Sequence, residues 1–501
     1  MIVAPLIAIA GITLFLKPKI SPSSLIPYAG VPSSQPSQAF SVRVNGQNIF
    51  VEKYGTISFA RFAFSHSANV AVTVCEPVKT FTLSPKSYNI PATISDRTIS
   101  FILDNPQRIV LRNVNSLPEE LFLLADAPES TPPAIGGVGV TNALTQNGID
   151  NANANNSAPG INQAINRISA AGGGTLFFPA GLYNIQSSIN MKSNVTVYLS
   201  PGAVLQVAAH YNCCFANQGV VNFIDVNNAK LTGRGIINGN AVNIPQSNLD
   251  FHMIYTENAS NIEIDDVLLL DQGVTGIRLV DARDSAVRNV KIIANNPSTE
   301  SDGIDFDSAQ SILVDNAFIY TSDDNTSQGG GTGVRKTVKD QHDLTIQNSV
   351  FYNQRTGAAF KIGTQTPQNT INTITYSNID IVSCIQGAAF YPSFGANIEN
   401  ISFTNIRAET VKDRFLEFHA VVPTWNPNWN GRLGYIHDVT FKDVSVESPG
   451  TRRSDFLGFS PVRDVRGITF TNFRVGGKPA LDASSARLTL NAFVSNVAFN
   501  P

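Results

Sequence analysis

Ile401-Ser402-Phe403-Thr404-Asn405-Ile406 decides how this chain is read, because the pattern returns as Val439-Thr440-Phe441-Lys442-Asp443-Val444 and as Ile468-Thr469-Phe470-Thr471-Asn472-Phe473. Upstream it recurs at residues 374–379, 344–349, 312–317, 287–290 and 262–267. The template is apolar, any, apolar, polar, Asn or Asp, apolar, and it returns roughly every 23 to 38 residues. Self-similarity at that period is the signature of a solenoid. Two inward residues before a turn and one after it describe a strand, a corner and a second strand. Asn or Asp at the corner suits left-handed backbone geometry and can stack on its equivalents in neighbouring coils. The expected structure is a parallel β-helix with coils about 4.8 Å apart.

Outward from the repeats, Ile161, Ala164, Ile165 and Ile168 share one face of a short predicted helix that Gly172-Gly173-Gly174 ends. The strand Thr175-Leu176-Phe177-Phe178 follows. An amphipathic helix directly before a stack of strands is placed to cap the open end of the core. Residues 39–126 alternate apolar and polar in short runs, such as Phe40-Ser41-Val42-Arg43-Val44, between Gly, Pro, Asn and Asp signals, which predicts a β-sandwich. Residues 20–38 and 127–156 read as linkers, and 157–501 as the β-helix carrying the chemistry. The expected fold class is all-β.

The chain has 501 residues, 43% hydrophobic and 15% charged, with net charge −3, enough to bury a large core. It carries no basic footprint for nucleic acid or an anionic membrane. The four cysteines, Cys75, Cys213, Cys214 and Cys384, have no zinc spacing; a disulfide from the 213/214 pair and buried free thiols both remain open. No cofactor or metal is expected. Residues 1–16 are almost wholly apolar before Lys17, so residues 1–19 read as a secretory signal, with a membrane anchor as the alternative. A secreted monomer without a span in its mature form is expected. Asn155, Asn194, Asn258, Asn325 and Asn400 open glycosylation sequons.

Ser301-Asp302-Gly303-Ile304-Asp305-Phe306-Asp307 and, about one coil later, Ser322-Asp323-Asp324 place carboxylates on successive turns. Ile304 and Phe306 share inward parity, leaving Asp305 and Asp307 outward and Asp302 at the corner. Adjacent Asp323 and Asp324 can both reach the groove only if a bend or bulge lies there. Close carboxylates repel when ionised, so one keeps a proton near neutral pH. Glycoside hydrolysis needs that pairing of an acid with a base that activates water.

Gly172-Gly173-Gly174-Thr175-Leu176-Phe177-Phe178-Pro179-Ala180-Gly181, Leu199-Ser200-Pro201-Gly202-Ala203-Val204-Leu205 and Leu231-Thr232-Gly233-Arg234-Gly235 resemble the opening coils of pectin-lyase-like right-handed β-helix proteins. With the two acidic motifs, residues 150–480 resemble the glycoside hydrolase clan of the polygalacturonases (family 28) and the dextranase/isopullulanase group (family 49). A sandwich before the helix is like family 49. The resemblance implies a right-handed helix and an inverting hydrolase with Asp323 as general acid and Asp302 and Asp324 holding or activating water. A carboxyl separation of about 6.5–9.5 Å would mark inversion. Polygalacturonases carry a Gly-His-Gly turn and an Arg-Ile-Lys segment after the acidic pair. Here the coils read Arg355-Thr356-Gly357-Ala358-Ala359-Phe360-Lys361 and Gly387-Ala388-Ala389-Phe390-Tyr391. The substrate expected is therefore an α-glucan such as dextran or pullulan, with Lys361 as a donor and Tyr391 as a sugar-stacking ring. A polygalacturonase-like pectin hydrolase, a Ca²⁺-dependent lyase and a non-catalytic glycan-binding β-helix are the alternatives. Trp425 and Trp429 suit loop packing or a sugar platform, and His342 suits the surface or an assisting role.

Overall fold

The computed structural model describes residues 24–501 apart from 33, 210–217, 295–300, 330–337 and 425–430. The apolar N-terminal segment, Cys213, Cys214, Trp425 and Trp429 lie outside the described residues. Cys75 and Cys384 are free thiols, one exposed and one buried.

The N-terminal strands form two sheets. Alternation builds the first: Phe40, Val42 and Val44 pack inward beside Val70, Val72, Ile99 and Phe101. The strand Ile57–Phe64 of the second sheet is buried at every position. Its Ala60, Phe62 and Phe64 face the sandwich core, whereas Ile57 and Phe59 face the β-helix. A strand covered on both faces reads as a continuous apolar run. Leu25–Pro27, within the stretch read as a linker, is an edge strand paired with Ile57–Phe64.

From Val140–Asn142 onward every strand but Lys478–Pro479 pairs in parallel with its counterpart one coil away, forming the right-handed β-helix. Val140–Asn142 and Ala152–Asn156 belong to the first coils, so the β-helix starts ahead of the expected boundary at 157. Their Asn and Gly density hid strands whose partners lie about thirty residues downstream. The helix Ala158–Ala170 buries Ile161, Ala164, Ile165 and Ile168 and closes the core's first end.

The repeat template lands in register. Val287, Val314, Ile346, Tyr376, Phe403, Phe441, Phe470 and Phe499 stand above one another through consecutive pairings. From Tyr376 to Phe499 the rings stack at 4.8–5.2 Å. The corner residues Asn348, Asn378 and Asn405 have φ of 52°, 52° and 56°, the left-handed geometry expected. Asn348 donates to Asp315, Asn378 to Asn348 and Asn405 to Asn378 at 2.7–3.2 Å.

The sandwich lies along one flank of the β-helix. Phe59, Val110, Phe122 and Leu124 meet Val204, Ile236, Leu268, Ile293 and Phe318 in one dry cluster. Beside it Asp126 is ringed by Arg108 (2.7 Å), Arg234 (2.6 Å) and Lys291 (2.9 Å). Burial opposes ionisation of Asp126, but Lys291, Arg108 and Arg234 outweigh it and hold the carboxyl below its usual range.

Candidate active site

The strand Phe318–Thr321 ends in a bend at Ser322–Asn325 before the chain resumes as Thr326–Gln328. The bend is bolted from behind: the Thr321 hydroxyl donates to the Asp323 carbonyl (2.8 Å), and the Asn325 amide donates to Thr321 Oγ1 (2.9 Å) and the Ile319 carbonyl (3.2 Å). Asn353 donates to the same Asp323 carbonyl. This bend meets the requirement set by the adjacent acidic pair. It also turns the Asn325 sequon wholly inward, where no glycan fits the folded chain.

Asp302 opens the strand Asp302–Asp307 one coil earlier, with Ile304 and Phe306 in the core. One oxygen from each of Asp302, Asp323 and Asp324 lies within 4.8 Å of the others. The Asp324 amide donates to Asp302 Oδ1 (3.0 Å); Asp324 Oδ1 accepts from the Ala358 amide and Oδ2 from Lys361 Nζ, both at 2.6 Å. Gly357, at φ 73°, sits where a Cβ would collide with both Asp323 and Asp324. Only glycine leaves that space and tolerates that backbone.

Burial, then the charges of Asp305, Asp324 and Asp323, push the Asp302 carboxyl well above its usual range, against Lys361. Burial likewise raises Asp305 to about 6, opposed by Arg278 and by the Thr275 hydroxyl, which donates at 2.9 Å. Lys361 is held protonated: burial disfavours its charge, and Asp324, Asp302 and Asp323 overcome it. His252, 3.3 Å from Arg278, is kept neutral by burial and by that guanidinium. The three clustered oxygens are also close enough to share a cation, as the lyase alternative requires, with Asp324 already matched by Lys361.

Arg278, Asp305, Ser327, Lys361, Ala389, Glu417 and Asp455 form one register column across the outer face of the triad's sheet. Sequence reading singled out Lys361 alone from this column. Outward parity shared with Asp305 was the signal for the rest. Lys361 reaches Asp324 itself, a placement fixed by pairing across 37 residues. Tyr391 stands beside His419, ring edge to face at 6.0 Å. His419 contacts Asp455 (3.1 Å) and Glu417 (3.4 Å), and Arg414 contacts Asp455 and Glu417. His342 bonds its neighbour Asp343 on another sheet of the coil and takes no part in the cluster. The Asp324 amide tethers Asp302 directly to the bend.

The sequence model of the "Rhamnogalacturonase A/epimerase, pectate lyase-like" family matches residues 140–407. A "Probable endopolygalacturonase D" of Neosartorya fischeri is 23% identical over 148 residues, 29% of each chain, so this chain matches less than a third of that relative's length. Among solved structures, an exopolygalacturonase from Thermotoga maritima superposes with TM-score 0.59 at 16% identity, over 74% of this chain and 93% of its own. Dex49A from Penicillium minioluteum superposes with TM-score 0.57 at 13% identity, over 94% and 96%. At these identities the structural likeness shows the fold, and the second extends it through the N-terminal sandwich. No helix among the described residues is long and apolar enough to cross a membrane.

Proposed function

The chain belongs to the rhamnogalacturonase A/epimerase, pectate lyase-like family, and from that premise we propose that it is a glycoside hydrolase acting on a neutral polysaccharide through Asp302, Asp323 and Asp324. The observation that carries the reading is the convergence of three carboxylates within 4.8 Å, one of them ion-paired with Lys361. With Asp302 held well above the carboxylate range, the cluster keeps a proton to higher pH than an isolated carboxylate would. Exchange between neighbouring oxygens puts that proton on Asp323, which donates it to the leaving glycosidic oxygen. Asp302 and Asp324 then orient a water and take its proton as it attacks the anomeric carbon, restoring the cluster with one proton. Inversion, which the resemblance implies, needs the acid and base carboxyls far enough apart to hold the attacking water between them and the sugar.

A neutral glycan, with α-glucans such as dextran and pullulan first, is supported by the charges of the groove. Among the described residues Lys361 is matched by Asp324, and Arg414 and His419 by Asp455 and Glu417. A polyuronate would meet carboxylates at each of these points. Tyr391 offers its ring to a sugar two coils beyond the triad's bend. Such polymers are met outside the cell, and the apolar run at residues 1–16 fits export.

The test is reducing-end release from dextran, pullulan and polygalacturonate by wild type and Asp323→Asn, with the first-formed anomer read by proton NMR. Release from a neutral polymer, lost in the variant, is expected. No release from any glycan would sink the hydrolase reading, and a retained anomer would sink the single displacement. Unsaturated products abolished by a chelator would install the lyase instead.

A further inference from the structure

The sandwich and the β-helix line an open cleft of about 480 Å³ at their seam, apart from the triad. Its floor comes from one sheet of the first coils. There the outward residues Val204, Ile236 and Leu268 are apolar and lie under the sandwich. Two positions further along the same strands the outward row changes to amides: Asn184 pairs with Gln206, and Gln206 with Asn238. Asn240 and Asn243 extend the polar floor, and Lys53 and Tyr54, from the strand Val51–Tyr54, form the facing wall.

The chemistry of the lining selects a ligand class. The Asn238 amide donates to Gln206 Oε1 (2.9 Å), and Asn240 donates to the Val207 carbonyl (2.9 Å), so the row is ordered. Each carboxamide still has donor and acceptor capacity beyond these bonds, at a repeat of about 4.8 Å. The charged groups are already committed: Lys53 to Glu119, Glu52 to the Val31 amide (3.0 Å), and Asp271 to the Tyr54 hydroxyl (2.7 Å) and the Val242 amide (3.0 Å). That bond fixes the Tyr54 ring as a rigid wall. The cleft is within the size range of ligand pockets, about 300–1,000 Å³. A ligand rich in hydroxyls, uncharged and repeating along its length uses this lining; among the described residues a phosphate or a carboxylate finds no cation uncommitted.

We propose that the seam is a second glycan site, binding a segment of a neutral oligosaccharide between the amide row and Tyr54. It shares an edge of the solenoid with the triad: Asp271 lines the cleft and the next residue, Gln272, donates to the Asp302 carbonyl. A polymer held at the seam is therefore anchored on the same edge as the reacting bond. The site extends the hydrolase reading to a longer substrate, but its binding can be measured without any turnover.

Isothermal titration of Asp323→Asn with isomaltohexaose, maltohexaose and cellohexaose, and with hexagalacturonate as the charged control, tests it. Two binding events are expected for at least one neutral probe. One of them should weaken at least tenfold when Gln206→Ala and Asn238→Ala are added, with the other event unchanged. A single event for all neutral probes, unaffected by the added pair, overturns the proposal, as does seam binding of hexagalacturonate alone. Crystals of the unmodified chain soaked in the same neutral probes give a readout independent of variant folding. Sugar against Gln206 and Asn238 supports the site, and sugar confined to the triad overturns it. The hydrolase reading fails separately, by absent reducing-end release.

Discussion

The coils from Tyr376 to Phe499 and the coil carrying Asp323 and Asp324 belong to the same solenoid but fill their interiors in opposite ways. In the late coils the inward column is a run of stacked rings, Tyr376, Phe403, Phe441, Phe470 and Phe499. Behind the acidic bend the inward positions are Asn325, Thr326 and Gln328, all fully buried. Gln328 donates to the Tyr376 hydroxyl (2.9 Å) and accepts from Gln341 (2.6 Å), so both ends of its buried amide are paired. Apolar stacking makes a coil stable whatever its neighbour carries, whereas a hydrogen-bonded interior fixes one geometry at higher cost. Because solenoid stability is close to a sum over neighbouring repeats, regular coils can support an irregular one.

The largest expected effect separates chemistry from stability. Asp323→Asn should lower hydrolysis by about 10²–10⁴-fold, the range for a general acid, with an unchanged melting temperature; a comparable fall in melting temperature would mean the bend is structural. Next, Phe441→Ala in the stacked column should cost about 3–5 kcal/mol in denaturant unfolding and leave the activity of the remaining folded enzyme intact. Lost activity at full folding would show that the regular coils also shape the site. Gln328→Leu strands the Tyr376 hydroxyl and the Gln341 amide, so it should cost about 1–3 kcal/mol and also reduce activity by loosening the bend. A stabilised, active variant would mean the polar interior is not what holds the acidic pair.

The smallest effect is a pH dependence. Asp302 binds its proton more tightly folded than unfolded, so its stabilisation is full below the ordinary carboxylate range and is lost as pH rises through its raised folded value. Asp305 loses its share between the unfolded value and about 6. The melting temperature of Asp302→Asn relative to wild type should therefore climb as pH rises from 4 into the neutral range. A gap that stays constant with pH would remove the burial argument.

Much of this contrast was legible in the sequence because it rests on periodicity. Phe403, Phe441 and Phe470 repeat within one template, and Asn348, Asn378 and Asn405 mark the corners in the backbone geometry that residue type favours. Asp302, Asp323 and Asp324 were found for the same reason. Val140–Asn142 was not, since three residues among Gly and Asn show no alternation and pair only with Thr175–Phe177. The Lys361–Asp324 pair, the Asp305 column and the Asp126 ring depend on which coils fall into register and on how the sandwich docks. Spacings that vary from coil to coil conceal such contacts.

The column of corner asparagines sets a rule for how a molecule of this kind changes length. Neighbouring corners are bonded side chain to side chain, as Asn378 is to Asn348 and Asn405 to Asn378. An insertion within a coil is absorbed at a different turn, as the unequal stretches between Asn238 and His252 and between Leu270 and Thr275 show. A change that displaces the corner itself breaks the column on both sides. The axis can therefore grow or shrink only by complete turns, in steps of about 4.8 Å, so the reach of the groove along a polymer is quantised.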